Sequence, residues 1–134
     1  MKFILYTDGG ARGNPGPAGI GAVIFKEGKI VFQEGRYIGE TTNNQAEYQA
    51  LILGLEKAKA FGAKEVECRL DSELVVKQMN REYRVRDADL APLFVKVWNL
   101  SISFQKVTFR HVPREQNKQA DKMVNEAVDK ALER

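Results

Sequence analysis

Four carboxylates stand in company that does not suit a charge. Asp8 closes the apolar run Phe3-Ile4-Leu5-Tyr6-Thr7 and is followed by Gly9-Gly10, and Asp71 closes Val66-Glu67-Cys68-Arg69-Leu70. Glu47 precedes Ala50, Leu51, Gly54, Leu55 and Ala58 at helical spacing, so it points with a packing face. Asp121 adjoins Ala120 and lies three residues before Val124, at the border of another apolar stripe. A desolvated carboxylate is costly unless something positive meets it. Singly, each acid has a plain structural explanation: Asp8 or Asp71 can cap a turn, Glu47 can offset a helix dipole, and Asp121 can pair with a nearby lysine. Jointly they would place several negative charges within a few ångströms, a cluster that raises its own pKa values unless cations are bound. An all-oxygen ligand set suits Mg2+ or Mn2+, whereas zinc would want His or Cys. Two such ions about 3.5–4 Å apart can activate water and stabilise the leaving oxygen in phosphodiester hydrolysis. The acids then need not donate protons themselves.

The elements that must carry these acids follow from local pattern. Phe3 to Thr7 reads as a strand buried on both faces and therefore central in its sheet. Gly9 to Gly19, dense in Gly and Pro, reads as a tight exposed connection. Ile20–Phe25 and Ile30–Ile38, separated by Lys26-Glu27-Gly28-Lys29, read as a hairpin. Thr41-Thr42-Asn43-Asn44 supplies capping residues for a long helix that ends near Phe61-Gly62. Lys64–Leu70 is a fourth strand, Ser72–Met79 a short helix capped by Ser72 or Asp71, and Asn80–Asp87 charged and irregular. Asp89–Leu100 is a further helix with Leu90, Leu93, Phe94, Val97 and Trp98 on one stripe, and Phe104–His111 a fifth strand. After a turn at Val112–Gln116, Asn117–Leu132 closes the chain as a helix with Ala120, Val124, Ala127, Val128 and Ala131 inward. The order βββαβααβα predicts an α/β fold: a five-stranded mixed sheet, three antiparallel strands then two parallel, with helices on both faces. Asp8 and Asp71 would then emerge side by side at one edge, where open α/β sheets bind ligands.

With 134 residues the chain is long enough for one real core, and a single domain spanning residues 1–134 is expected. The formal charge of +3 permits a polyanionic partner without demanding one. The single cysteine, Cys68, cannot form an internal disulfide and sits in a strand, where it reads as core filler in a reducing compartment. No apolar stretch is long enough to span a membrane and the N-terminus lacks a signal peptide's layout, so the expectation is a cytoplasmic monomer without a membrane partner.

The boxes Thr7-Asp8-Gly9-Gly10, Asn14-Pro15-Gly16-Pro17-Ala18-Gly19, Thr42-Asn43-Asn44-Gln45-Ala46-Glu47, Asp71-Ser72 and Pro113 to Asp121 resemble type 1 ribonuclease H, in that family's order and over nearly the whole chain. The resemblance implies the ribonuclease H-like fold. It also implies hydrolysis of the RNA strand of RNA/DNA hybrids with two Mg2+ ions, Mn2+ substituting, leaving 5′-phosphate and 3′-hydroxyl ends. By motif, Asp8, Glu47, Asp71 and Asp121 match the metal-binding, catalytic acids. Asn14, Asn43 and Asn44 match positions that contact the hybrid through its minor groove, and Thr42 one that holds a phosphate of the DNA strand. Short amides can reach shallow-groove edges, where the 2′-OH distinguishes RNA from DNA. Gly10, Arg12, Gly13 and Ser72 complete the expected substrate-binding set, the backbone amides of Gly9–Gly13 approaching a phosphate closely. Capping alone is the alternative for Asn43 and Asn44.

Two departures from the family pattern bear on mechanism. The loop between the last strand and last helix, where many members carry a histidine, is only Val112-Pro113-Arg114-Glu115-Gln116. His111 stands before it and reads as structural or as a backbone contact, whereas Arg114 can partly substitute electrostatically without relaying a proton. The lysine-rich helical protrusion of some members is also missing, with only Arg81, Arg84 and Arg86 between Met79 and Asp89. Fewer phosphate contacts imply weaker hybrid affinity and leave room for duplex RNA or an RNA–DNA junction as substrates. Three rival readings carry less. Gly10 to Gly16 echoes a phosphate loop, but it precedes a hairpin and lacks the Lys-Ser/Thr signature. A non-catalytic hybrid- or duplex-binding module would have no use for four acids. A DNA nuclease of the same fold would have no use for the paired asparagines.

Overall fold

The computed structural model describes residues 2–133. Its elements run β1 (Lys2–Ala11), β2 (Gly16–Lys26), β3 (Lys29–Thr41), α1 (Asn43–Ala60), β4 (Glu65–Leu70), α2 (Glu73–Met79), α3 (Ala91–Ser101), β5 (Lys106–His111), a 3-10 turn (Arg114–Gln116) and α4 (Lys118–Leu132). The strands lie in the order β3-β2-β1-β4-β5, with β1–β2 and β2–β3 antiparallel and β1–β4 and β4–β5 parallel. β1 is therefore central, and the expected mixed sheet is the observed one.

Alternation along the strands separates the two faces. Phe3 and Leu5 are buried beneath α1, Val66, Cys68 and Leu70 are buried on the same face of β4, and α3 packs on α1. The opposite face of β1, β2 and β3 receives α4 through Ala120, Val124 and Val128. Ala127 and Ala131, expected inward, are only half-buried, because the contact follows a narrower stripe than the run of small residues suggested. Between α1 and α2, the buried Tyr48 hydroxyl donates to Gln78 Oε1 at 2.6 Å, fixing the short helix that follows Asp71.

Three expectations need correction. The Gly/Pro-rich stretch is not all connection: β1 continues to Ala11 and β2 starts at Gly16, because Gly9, Gly10 and Ala11 pair with Ile20, Gly19 and Ala18. The helix near residue 90 starts at Ala91, with Pro92 in its first turn, where a missing N–H costs nothing. Trp98 does not join the buried stripe of that helix. It is 38% exposed, stacked on Phe94 at 6.2 Å, with the Arg81 guanidinium 5.4 Å from its ring centre. The hairpin at Glu27-Gly28 holds φ of 53° and 78°, the positive pair that a two-residue turn of matching twist requires.

Candidate active site

Parallel pairing of β1 with β4 ends at Thr7 opposite Leu70, so the next residues, Asp8 and Asp71, stand side by side where the two strands part and β1 runs on against β2. The two helix-borne acids arrive through close backbone approach at glycines. A Cβ on Gly9 would lie 2.3 Å from the Ala46 carbonyl, so only glycine lets the first turn of α1 come this near. That approach brings Glu47 onto β1, where its Oε1 accepts the Gly9 N–H at 2.9 Å. A Cβ on Gly21, opposite Asp8, would lie 2.5 Å from the Ala120 carbonyl. Its absence seats α4 against the sheet and carries the adjoining Asp121 to Asp8.

Asp8, Glu47 and Asp71 each offer a carboxylate oxygen within 4.8 Å of the others, and Asp121 stands in the same cleft, where it raises the proton affinity of Asp8. Asp8 is 7% exposed and Glu47 9%. Burial, more than mutual repulsion, raises their proton affinity. Asp8 is pushed up to about 8 by burial first and then by Asp71 and Asp121, with Arg114 opposing. Glu47 is raised by burial and by Asp8 and Asp71, against the Gly9 N–H. Asp71 is raised by burial, the pull of Arg114 opposing and the charge of Asp121 adding, while a hydrogen bond from the Asn117 side chain also lowers it. Such a cluster either holds protons or exchanges them for cations, and its all-oxygen donors suit a hard divalent ion.

The acids line a cleft of about 400 Å³ together with Gly10, Arg12, Asn43, Arg114, Val124, Asn125 and Val128. Gly10 leaves its floor open, since a Cβ there would meet nothing within 4 Å. Three amides of the Gly9–Gly13 backbone are engaged within the protein. The N–H groups of Gly9, Ala11 and Arg12 are taken by Glu47, by Asn43 Oδ1 at 2.7 Å and by the Pro17 carbonyl at 2.8 Å. Arg12 itself pairs with Asp129 at 2.7 Å, both side chains exposed.

Beside the cleft, Asn14 Oδ1 accepts the Asn43 N–H at 3.1 Å. With the carbonyl oxygens of Asn14 and Asn43 both engaged inside the protein, their NH2 groups are left as outward donors. Capping is not the task of Asn43 or Asn44: the N-cap of α1 is Thr42, whose hydroxyl accepts the Gln45 N–H while Gln45 reaches back to the Thr42 N–H. Asn44 stands exposed on the first turn, and Gly13 is exposed in the turn between β1 and β2. Ser72 lies outside the cleft lining, with its hydroxyl accepting the Val75 N–H as the cap of α2. His111 ends β5 opposite Leu70, exposed and outside the cleft lining.

Two asparagines of the last helix escaped the reading of the sequence. Asn117 is buried at the N-cap of α4 and donates through Nδ2 to the Thr7 carbonyl at 2.9 Å. Asn125, one turn beyond Asp121, donates to the Asp121 backbone carbonyl at 3.2 Å and to its Oδ2 at 3.4 Å. The i,i+4 spacing from Asp121 was the available signal for Asn125. A cap position concealed Asn117.

A mixed sheet with this strand order, carrying four acids at the rim of its central strand, is the arrangement of a carboxylate-based phosphoryl-transfer nuclease. A family model described as reverse transcriptase-like matches residues 6–127. The fold is similar to the crystal structure of RNase H1 from Halobacterium salinarum, at 44% identity and a TM-score of 0.95, over 97% of this chain and 99% of that one. It is similar also to LC11-RNase H1 in complex with RNA/DNA hybrid, at 52% identity and a TM-score of 0.92, over 97% and 99% of the two chains. The bifunctional protein Rv2228c of Mycobacterium tuberculosis is 42% identical over 99% of this chain, which spans 37% of that relative's length. The chain belongs to the ribonuclease H family. Divalent metal dependence is general to that family, and the carboxylate cluster able to meet it is present.

Proposed function

We propose that this chain hydrolyses the RNA strand of RNA/DNA hybrids, leaving 5′-phosphate and 3′-hydroxyl ends, with two Mg2+ ions that Mn2+ can replace. The observation that carries the reading is the convergence of Asp8, Glu47 and Asp71, from three separate elements, within 4.8 Å, on a fold shared with a relative seen in complex with RNA/DNA hybrid. Asp8 faces both the Glu47–Asp71 side and Asp121, so it would be common to two ion sites. Bound divalent ions supply activation of the attacking water and neutralisation of the leaving oxygen. The protein's own groups orient the duplex. The free NH2 groups of Asn14 and Asn43 meet acceptors of the shallow groove, Asn44 stands beside them, and the Thr42 hydroxyl retains its proton for a DNA-strand phosphate. Arg114, in the cleft with Asp8 and Asp71, holds a phosphate oxygen as a fixed cation and takes part of the electrostatic role of the absent loop histidine. The chain acts as a monomer, in the cytoplasm.

The test is a labelled RNA/DNA hybrid, duplex RNA, duplex DNA and a chimeric RNA–DNA junction, each incubated with Mg2+, Mn2+ or chelator. Cleavage confined to ribonucleotide strands and abolished by chelator is expected. An intact hybrid under both metals would overturn the reading. Cleavage of the duplex RNA or junction would extend it, in line with a chain whose Asn80–Asp87 segment forms no protruding helix.

A further inference from the structure

Asn117 precedes α4 at the position where an asparagine side chain ordinarily caps the first turn, yet it makes no cap hydrogen bond. Its side chain is 1% exposed, and its Oδ1 is buried without a partner. The residue forgoes two favourable arrangements in order to turn its NH2 group toward β1 and β4. There it donates to the Thr7 carbonyl at 2.9 Å, the residue before Asp8. The same side chain lowers the proton affinity of the neighbouring Asp71 carboxylate. The Thr7 carbonyl and the Asp71 carboxylate are both acceptors, so the amide has one workable orientation, with its NH2 group toward them. Through its backbone, the Asn117 carbonyl accepts the Asp121 N–H at 3.1 Å. One residue thus joins the β1 residue before Asp8 to the helical turn bearing Asp121, close enough to Asp71 to lower its proton affinity.

We propose that Asn117 is a positioning residue that sets the spacing of Asp8, Asp71 and Asp121 for divalent-cation binding. The inference rests on the proposed metal-dependent activity and names the group that holds its ligands in register. Partners of metal ligands commonly change metal affinity or activity by about 10–100-fold when removed. A residue that only tethered α4 to the sheet would change stability and leave metal affinity alone.

The experiment measures Mn2+ binding by electron paramagnetic resonance, and Mn2+-dependent hybrid cleavage, for the wild type, Asn117→Ala and Leu55→Ala. Leu55 is a fully buried core residue distant in role from the acids, and its truncation supplies a destabilised control. For Asn117→Ala the expectation is a Mn2+ dissociation constant raised about 10-fold or more and a matching loss of kcat, with hybrid KM little changed. Leu55→Ala, at a comparable loss of Tm, keeps wild-type Mn2+ affinity. If Asn117→Ala does not fold, Asn117→Ser takes its place, since one hydroxyl proton can serve the Thr7 carbonyl or Asp71 but not both. Wild-type Mn2+ affinity in a folded Asn117 variant would overturn the inference alone. Absence of Mn2+ binding and cleavage in the wild type would instead overturn the activity on which it rests.

Discussion

On one face of the sheet, β1 presents Phe3, Leu5 and Thr7 and β4 presents Val66, Cys68 and Leu70 to the side covered by α1. On the other, β1 presents Asp8 and Gly10, and β2 presents Gly19 and Gly21, to α4. The first face is filled with large side chains and buries its helix through them. The second is nearly bare at the same level, so the helix backbone itself lies on the sheet, with Val128 and Ala120 meeting Gly19 and Gly21. Apolar area on the first face supplies stability, at about 25 cal/mol per Å². Bareness on the second brings an acid-bearing helical turn to the strand end. Large side chains thus dominate the first face except at Gly9, where the turn bearing Glu47 comes down, and backbone approach dominates the second, so substitutions on each should fail in different ways.

The largest expected effect lies at the rim. Asp71→Asn removes a metal ligand and little bulk, so cleavage of hybrid in Mg2+ should vanish while hybrid binding persists. Cleavage at the wild-type rate would remove Asp71 from the site. Next comes the pair Gly21→Ala and Leu5→Ala, which separates the two faces directly. Leu5→Ala should cost about 2–5 kcal/mol in denaturant unfolding with kcat unchanged while folded. Gly21→Ala should lower kcat by about 10-fold or more, since Ala120 must retreat and Asp121 moves with it. Equal effects of the two on kcat would break the contrast.

Smaller, but diagnostic in sign, is the dependence of stability on pH. Asp8 holds its proton up to about pH 8 in the folded protein, far above the ordinary carboxylate value of about 4, and Glu47 and Asp71 are raised in the same direction. Between these limits the folded state holds more protons than the unfolded one, so metal-free stability falls as pH rises. Tm without metal should therefore decline from pH 5 to pH 8. Added Mg2+ or Mn2+ should raise it more at pH 8, where fewer protons must be displaced. Asp8→Asn should flatten the metal-free slope. A Tm that climbs over this range in chelator would contradict the buried acid cluster. The smallest effect is expected from Asn44→Ala, a loss of discrimination between RNA and DNA strands with metal affinity intact. Unchanged hybrid preference, measured on hybrid and duplex DNA side by side, would relieve Asn44 of any reading role.

Strand and helix identity was legible because local pattern carries it. Short β-prone runs, capping residues and helical spacing placed the elements to within a few residues, and the parallel pairing of β1 with β4 followed from their order. The inward bearing of Glu47 was equally readable, since a helix repeats every 3.6 residues wherever it packs. The strand character of Gly9–Ala11 was not, because glycine has no strong preference of its own and pairing with β2 decided it. Trp98 misled for a related reason: amphipathic spacing names a face but not how much of it a neighbour covers.

By itself, then, the order of residues determined which elements form, which acids are uncomfortable and which family motifs they occupy. The folded chain alone decided that Gly9 and Gly21 admit two helices to the acids, that the Gly9, Ala11 and Arg12 amides are spent internally, and that buried Asn117 joins α4 to Thr7. These are contacts between residues as far as 110 positions apart. Local propensity acts over a few residues, whereas steric access and hydrogen-bond pairing across such distances exist only once the sheet has brought the segments together.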